Sequence, residues 1–225
     1  MSRFIRLSYD IQVDMPVYPH TTSLQLKQEK NIETGNSCNT FVFTLSSHTG
    51  THVDAPAHFY RDGKRISEYS IDELIFQKPV ILNCPKEPRE AISVSDLSSL
   101  RDNLDCDLVL LRTGFSQYRD KNTVRYCQQG PYLEPEAALW LRTQCAHIKA
   151  LGIDAISVSS FANRDAGRKT HLTLLSESCF PSSAVLIIED MLIPDGINDL
   201  IDVFVVPLFL KGIDSSPCTV IGTCK

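Results

Sequence analysis

The 225-residue chain has no apolar run long enough to cross a bilayer; its longest apolar stretches, around Ala184–Ile188 and Val203–Leu210, are far too short. The opening Met1–Arg6 has no apolar core of the kind a secretory signal carries. Basic charge is not in excess either. The 22 Lys and Arg stand against 27 Asp and Glu, the formal net charge is -5 at pH 7, and no basic cluster exceeds a few residues. These absences argue against a membrane span and against nucleic acid as a partner. The eight cysteines contain no Cys-x-x-Cys pair and are irregularly spaced. Without an export signal they read as free thiols of a cytoplasmic protein, with Cys84 and Cys106 simply packing; a Cys218–Cys224 bridge would require export. No Gly-x-Ser-x-Gly elbow and no glycine-rich phosphate loop is present, so serine-nucleophile and phosphate-loop chemistry have no support. No repeat, low-complexity tract or Pro/Gly-rich linker divides the chain, and residues 1–225 are expected to form one domain.

What is there is concentrated in Ser47–Phe59. Three of the six histidines fall between His48 and His58, together with Asp54, Gly50 and Pro56. His48, His52, Asp54 and His58 are separated by even numbers, which in an extended chain puts their side chains on one face. A helix would turn Asp54 away from the imidazoles, and Gly50 and Pro56 oppose a helix. An isolated histidine usually faces solvent or pairs with an acid. A cluster of imidazoles and a carboxylate on one face is metal-ligand chemistry. His48, His52 and Asp54 make three ligands and leave an open position, the pattern of a catalytic rather than a structural site. Such nitrogen and oxygen donors suit zinc, manganese or iron. A divalent cation held this way can activate water and polarise a carbonyl. His58, near neutral in its ordinary pKa, can serve as an acid/base or as a further ligand.

The run resembles His-x-Gly-Thr-His-x-Asp-x-Pro-x-His, the signature of the cyclase family of metal-dependent hydrolases, which includes bacterial kynurenine formamidases and isatin hydrolases. Leu7–Asp10, Met15–Pro19, Gly152–Ser157 and Leu186–Asp190 resemble further parts of that family. The resemblance implies a β-rich, barrel-like core flanked by helices. It also implies a binuclear centre, with His171 and Glu189 completing the second site around Asp54, and His58 as the catalytic acid/base. Zinc or manganese, one or two per chain, and a homodimer or larger homo-oligomer are expected on the same ground. Glu177 is a rival to Glu189, although Glu189 follows apolar residues of a strand-like run, where a carboxylate needs a partner. Tyr18, Phe59 and Phe161 are candidates for an aromatic substrate pocket, with core packing as the alternative. The expected reaction is hydrolysis of a small amide, formamide or cyclic amide. N-formylkynurenine is the first substrate to consider and isatin-like lactams, esters or lactones the next. A metal-binding member without turnover is a reading of another class, disfavoured by the intact His48, His52, Asp54 and His58 set.

Short β-branched and apolar runs predict strands at Phe4–Leu7, Phe41–Leu45, Val80–Leu82, Leu108–Leu111, Ile153–Val158, Ala184–Ile188, Val203–Leu210 and Thr219–Ile221. Helical spacing of Ala138, Leu141, Cys145 and Ile148 predicts a helix from Glu134 to about Leu151, with Pro135 in its first turn, Gly152 as its cap and His147 turned to solvent or a partner chain. A second helix over Asp96–Leu100 would be capped by Ser93 or Ser95, and a third follows Asp165 and carries His171. Glu87–Glu90 and Tyr118–Gly130 read as polar surface loops. Met15–Ser37 is also largely polar, and the resemblance makes it a wall of the active site. The mixture predicts an α/β fold with a mixed sheet or partly closed barrel.

Overall fold

Along the chain, β1 (Arg3–Arg6), β2 (Gln25–Lys30), β3 (Thr40–Thr44), β4 (His52–Asp54), β5 (Ile75–Phe76), β6 (Pro79–Asn83), β7 (Ala91–Ile92) and β8 (Leu108–Arg112) precede the first α-helix. Then follow α1 (Thr123–Gln128), β9 (Tyr132–Leu133), α2 (Pro135–Gln144), β10 (Ala150–Ile153), α3 (Arg164–Leu175), β11 (Leu186–Glu189), β12 (Leu200–Pro207) and β13 (Ser215–Cys224). The computed structural model describes residues 3–103, 105–145 and 147–225.

One large sheet runs β5-β12-β13-β4-β11-β10-β8-β6, with β1 also paired to β13. β6, β8, β10 and β11 are parallel; β4 joins β11 antiparallel, and β13 and β12 continue antiparallel. β12 also runs beside β6, so the sheet nearly closes into a barrel. The parallel strands read Leu-Val-Leu-Leu, Ala-Leu-Gly-Ile and Leu-Ile-Ile because both of their faces are buried. Val109, Leu111, Leu151, Ile153 and Ile187 pack outward onto Ala137, Leu141 and Leu174 of the helices. Leu108, Leu110 and Ile188 point inward to Val53, Phe76, Val203 and Val220. The mixed α/β, barrel-like architecture is the one expected.

Several elements differ from expectation. The helix beginning at Pro135 ends at Gln144, and residues 150–153 are a central parallel strand. Cys145 and Ile148 are buried at helical spacing, yet they lie in a connection. Pairing with β8 and β11 on both sides outweighs the local periodicity. Gly152 is therefore no helix cap. A Cβ there would lie 2.3 Å from Met191 Sδ and 2.6 Å from Leu110 Cδ2, so only glycine fits without displacing core side chains. The strand expected over Ile153–Val158 stops at Ile153; the Asp154 N–H still reaches Leu111 O at 3.3 Å, and its carboxylate accepts Thr113 N–H, Thr113 Oγ1–H and Gly114 N–H where the chain turns away. The helix expected over Asp96–Leu100 is a 3-10 helix, Ser98–Asp102; Asp96 instead bonds back to Ser93 N–H at 2.7 Å. Tyr118–Gly130 is not merely a surface loop: it contains α1, capped by Asn122, and buries Arg119 and Tyr126. The polar Gln25–Lys30 forms β2, which pairs only with β3 in a separate hairpin. Cys84 and Cys106 are buried and, like Cys218 and Cys224, unbridged.

Candidate functional site

β4 lies between β11 and β13, with His52 opposite Glu189 and Asp54 opposite Ile187 on one side and Ser215 on the other. The period-two alternation sends Val53 into the barrel core and His52 and Asp54 to the opposite face. His48 precedes the strand on a tight turn at Gly50, whose φ of 65° favours glycine and whose Cβ would sit 2.7 Å from Met15 Cε. Pro56 opens the 3-10 helix Pro56–His58, which returns His58 to the same side. The even spacing thus converges on one point although only His52 and Asp54 of the four lie in the strand. α3 brings His171 and the end of β11 brings Glu189. All six line one cavity of 620 Å³. Tyr18 and Phe59 also line it, the latter stacked on His171 at 4.9 Å. Phe161 does not; it packs edge-on against Tyr18 at 6.0 Å and serves as the back of the wall. Of the Met15–Ser37 region expected to wall the site, only the Val17–Thr22 stretch lines the cavity; the rest, including β2, does not. Glu177 is exposed, accepts Lys64 N–H at 3.1 Å and is outside the cavity. His147 is exposed but lies beyond the end of α2.

Backbone carbonyls set the imidazoles. His52 Nδ1 donates to Gly50 O and His171 Nδ1 to Gly167 O, each at 2.8 Å, leaving both Nε2 lone pairs facing the cavity. His52 Nε2 is 3.6 Å from Asp54 Oδ1 and from Glu189 Oε2, and His171 Nε2 is 3.6 Å from Glu189 Oε1. Glu189 is fixed by Ser157 Oγ–H and Val158 N–H, both at 2.8 Å from Oε1. Ligand atoms of His52, Asp54 and Glu189 lie within 4.8 Å of one another, as do those of His48, Asp54 and His58, so Asp54 is common to both groups.

The donor set suits a divalent cation. Asp54 Oδ1 lies 3.0 Å from His48 Nδ1, whereas His52 Nε2 and Asp54 Oδ2 are buried without a hydrogen-bond partner, which a folded protein rarely tolerates. Burial lowers the His48 pKa, but Asp54 and Asp214 overrule it and raise it to about 10. Burial likewise pushes Asp54 up, while His52, His48 and His58 pull it well below the ordinary carboxylate range. Burial opposes charge on Glu189, and His171 and His52 lower its pKa nonetheless. The site holds concentrated negative charge and attracts positive charge.

Asp214 is a member of the site that the sequence motif does not contain. Its Oδ2 accepts from His58 Nδ1 at 2.8 Å and lies 3.1 Å from His48 Nε2, and the hydrogen bonds from these two imidazoles hold its pKa far below the usual value. A lone aspartate after the turn at Gly212 carries no spacing signal; only the β13–β4 register reveals it. A second unanticipated group lies behind the site. Arg119 pairs with both Asp190 oxygens at 2.8 Å, Tyr126 donates to Asp190 Oδ1, and Thr51 Oγ1 donates to Asp190 O. Asp190 has a φ of 50°, and this network holds the residues beside Glu189 and His52.

Residues 5–160 match the protein family described as "Putative cyclase". The chain is 29% identical to a "Kynurenine formamidase" from Geobacillus thermodenitrificans over 73% of its own length and 74% of that protein. The fold is similar to "Isatin hydrolase A" from Labrenzia aggregata, with a TM-score of 0.83, 18% identity and coverage of 99% and 94% of the two chains. It is also similar to a "predicted metal-dependent hydrolase" from Bacillus stearothermophilus, with a TM-score of 0.78, 23% identity and coverage of 100% of each chain.

Proposed function

The chain belongs to the cyclase family of hydrolases, and we propose that it cleaves N-formylkynurenine to formate and kynurenine in a cation-dependent reaction. The observation that carries this reading is the buried pair of His52 Nε2 and Asp54 Oδ2, neither of which has a hydrogen-bond partner, placed beside an imidazole held by a carboxylate. In this reading His48, His52, Asp54, His171 and Glu189 would hold one or two divalent cations, zinc or manganese, with Asp54 common to the two groups of ligand atoms. Such a cation lowers the pKa of water and polarises the substrate carbonyl.

The protein's own groups then handle protons and position. Asp214 fixes His58 with its Nδ1–H engaged, which leaves Nε2 to take a proton from the attacking water. Water adds to the formyl carbon, the C–N bond breaks, and His58 returns the proton to the departing nitrogen. Tyr18 and Phe59 flank the aryl ring. Ser157 and the Val158 amide keep Glu189 in place through the cycle.

The test is a substrate panel of N-formylkynurenine, formanilide, isatin and simple lactones on zinc- or manganese-loaded and chelator-stripped protein. N-formylkynurenine is expected to have the highest kcat/KM, lost on chelation and restored by the metal. Ring-opening of isatin with no formamide cleavage would replace the substrate. Metal binding with no turnover of any compound would replace the enzyme by a binding protein.

We also propose that the protein is a homodimer or larger homo-oligomer in the cytoplasm. The β2–β3 register puts Leu26 opposite Phe43 and Gln28 opposite Phe41, so one hairpin face carries Leu26, Phe41 and Phe43, all exposed. This face borders an apolar groove with Val206 and Leu208, a surface of the kind that a second copy covers.

A further inference from the structure

The cavity has two chemically different ends. The inner end holds the histidines and carboxylates described above. On α3, Arg164, Arg168 and His171 follow at i, i+4 and i+7, so they share one face of the helix. At the helical rise, Arg168 lies about 4.5 Å and Arg164 about 10 Å along the axis from His171. Both arginines line the same cavity as His171.

Neither guanidinium is loose. Arg168 lies over the Phe59 ring at 5.7 Å, and Phe59 in turn stacks on His171. Arg164 lies over the Phe161 ring at 4.6 Å, and Phe161 braces Tyr18 and His20. His20 holds its place at the mouth with a φ of 74°, a conformation that non-glycine residues adopt mainly where the surroundings require it. Asp165 is the one carboxylate lining this end, and among the described residues neither arginine forms an ion pair with it or with any other acid. The hydrogen-bonding edges of two stacked guanidinium groups are therefore available to an incoming anion. Arginine suits a planar carboxylate because its donors form a fixed fork.

We propose that Arg164 and Arg168 form a carboxylate-reading subsite, so that the preferred substrate is a small aryl amide bearing an acidic side arm. This deepens the hydrolase reading and rests on it. An aromatic ring between Tyr18 and Phe59 places the scissile carbonyl toward His58 and the acidic arm toward α3. The inner carboxylates repel the substrate's own, so the arginines also set which end enters first.

The experiment compares N-formyl-L-kynurenine with its decarboxylated analogue N-formylkynuramine and with formanilide, in metal-loaded wild type and in Arg164→Gln, Arg168→Gln and the double variant. The double variant should lose about ten- to hundredfold in kcat/KM for N-formylkynurenine, the scale of lost charge-assisted hydrogen bonds. Turnover of formanilide, which carries no acid, should change by less than about twofold, which also reports that the variants are folded. Calorimetric titration of L-kynurenine and kynuramine onto the same proteins provides a readout without turnover. Wild type should bind kynurenine more tightly, and the double variant should lose that preference. Equal losses for all three amides, or no preference for the acid in wild type by either measure, would overturn the subsite while leaving hydrolysis intact. Absence of all formamide cleavage with the binding preference present and abolished in the double variant would sink the formamidase reading and keep the subsite.

Discussion

Asp214 Oδ2 receives two imidazoles, His58 at 2.8 Å and His48 at 3.1 Å, and so couples the proposed acid/base to a ligand candidate. Asp214→Asn keeps the shape but removes the charge that favours the Nδ1–H form of His58. It is expected to lower kcat by about ten- to hundredfold, less than the roughly hundred- to ten-thousandfold of losing the acid/base itself, with KM little changed; steady-state kinetics with metal analysis of the same samples checks this. A variant with full kcat would remove Asp214 from the proton path. Glu189 and Glu177 make a matched pair for testing the proposed second cation. Glu189 is buried against His52 and His171, whereas Glu177 is exposed on Lys64 N–H. Glu189→Gln should reduce bound metal from about two per chain toward about one with a large loss of rate, because paired cations act on both oxygens of the reaction. Glu177→Gln should leave both unchanged, and elemental analysis separates the two. The four-residue core of this site was legible in the sequence because its members lie within one short run. Asp214 was not, since it stands 166 residues from His48, and neither was the Arg119–Asp190 pair, whose partners are separated by 71.

At the scale of elements, β10 shows where local reading ends. Ala138, Leu141, Cys145 and Ile148 repeat like a helix, and the first two are indeed buried in one. Ala150–Ile153 instead takes the slot between β8 and β11, a decision made by neighbours more than 35 positions away on either side. Gly152 marks that slot. Gly152→Ala must push a methyl group into Met191 and Leu110, and it should destabilise the fold by about 1–3 kcal/mol. Thermal unfolding should drop by about 2–4 °C for each kcal/mol in a chain of this size. An unchanged melting temperature would show that the methionine yields freely. α1 was hidden for the opposite reason. Tyr118–Gly130 is polar, and its burial comes from Arg119 and Tyr126 reaching a single buried carboxylate, which no periodicity records. β3 was legible from its β-branched and aromatic residues, while its partner β2, Gln-Leu-Lys-Gln-Glu-Lys, is a strand only because β3 pairs with it.

For the molecule as a whole, the nearly closed sheet leaves the β2–β3 hairpin as its outlier, apolar on one face and exposed. Paired Phe41→Glu and Phe43→Glu substitutions should shift the protein toward monomers in sedimentation velocity runs while leaving the cation content intact, since neither residue lines the cavity that holds the histidines. Sedimentation identical to wild type would place any assembly elsewhere. The position of β4 has a consequence for how the chain comes to life on the ribosome. This three-residue strand, carrying His52 and Asp54, pairs only with β11 and β13, and Thr51 beside it bonds a residue 139 positions later. During synthesis the motif emerges early and waits without its neighbours. Its histidines and carboxylate are a loose chelating peptide until the last strands arrive, and long-range pairing of this kind is slow. Completion of the site is therefore a late event in biogenesis, and a chain interrupted before Asp214 carries the whole signature but lacks both Asp214 and the β13 side of the β4 pairing.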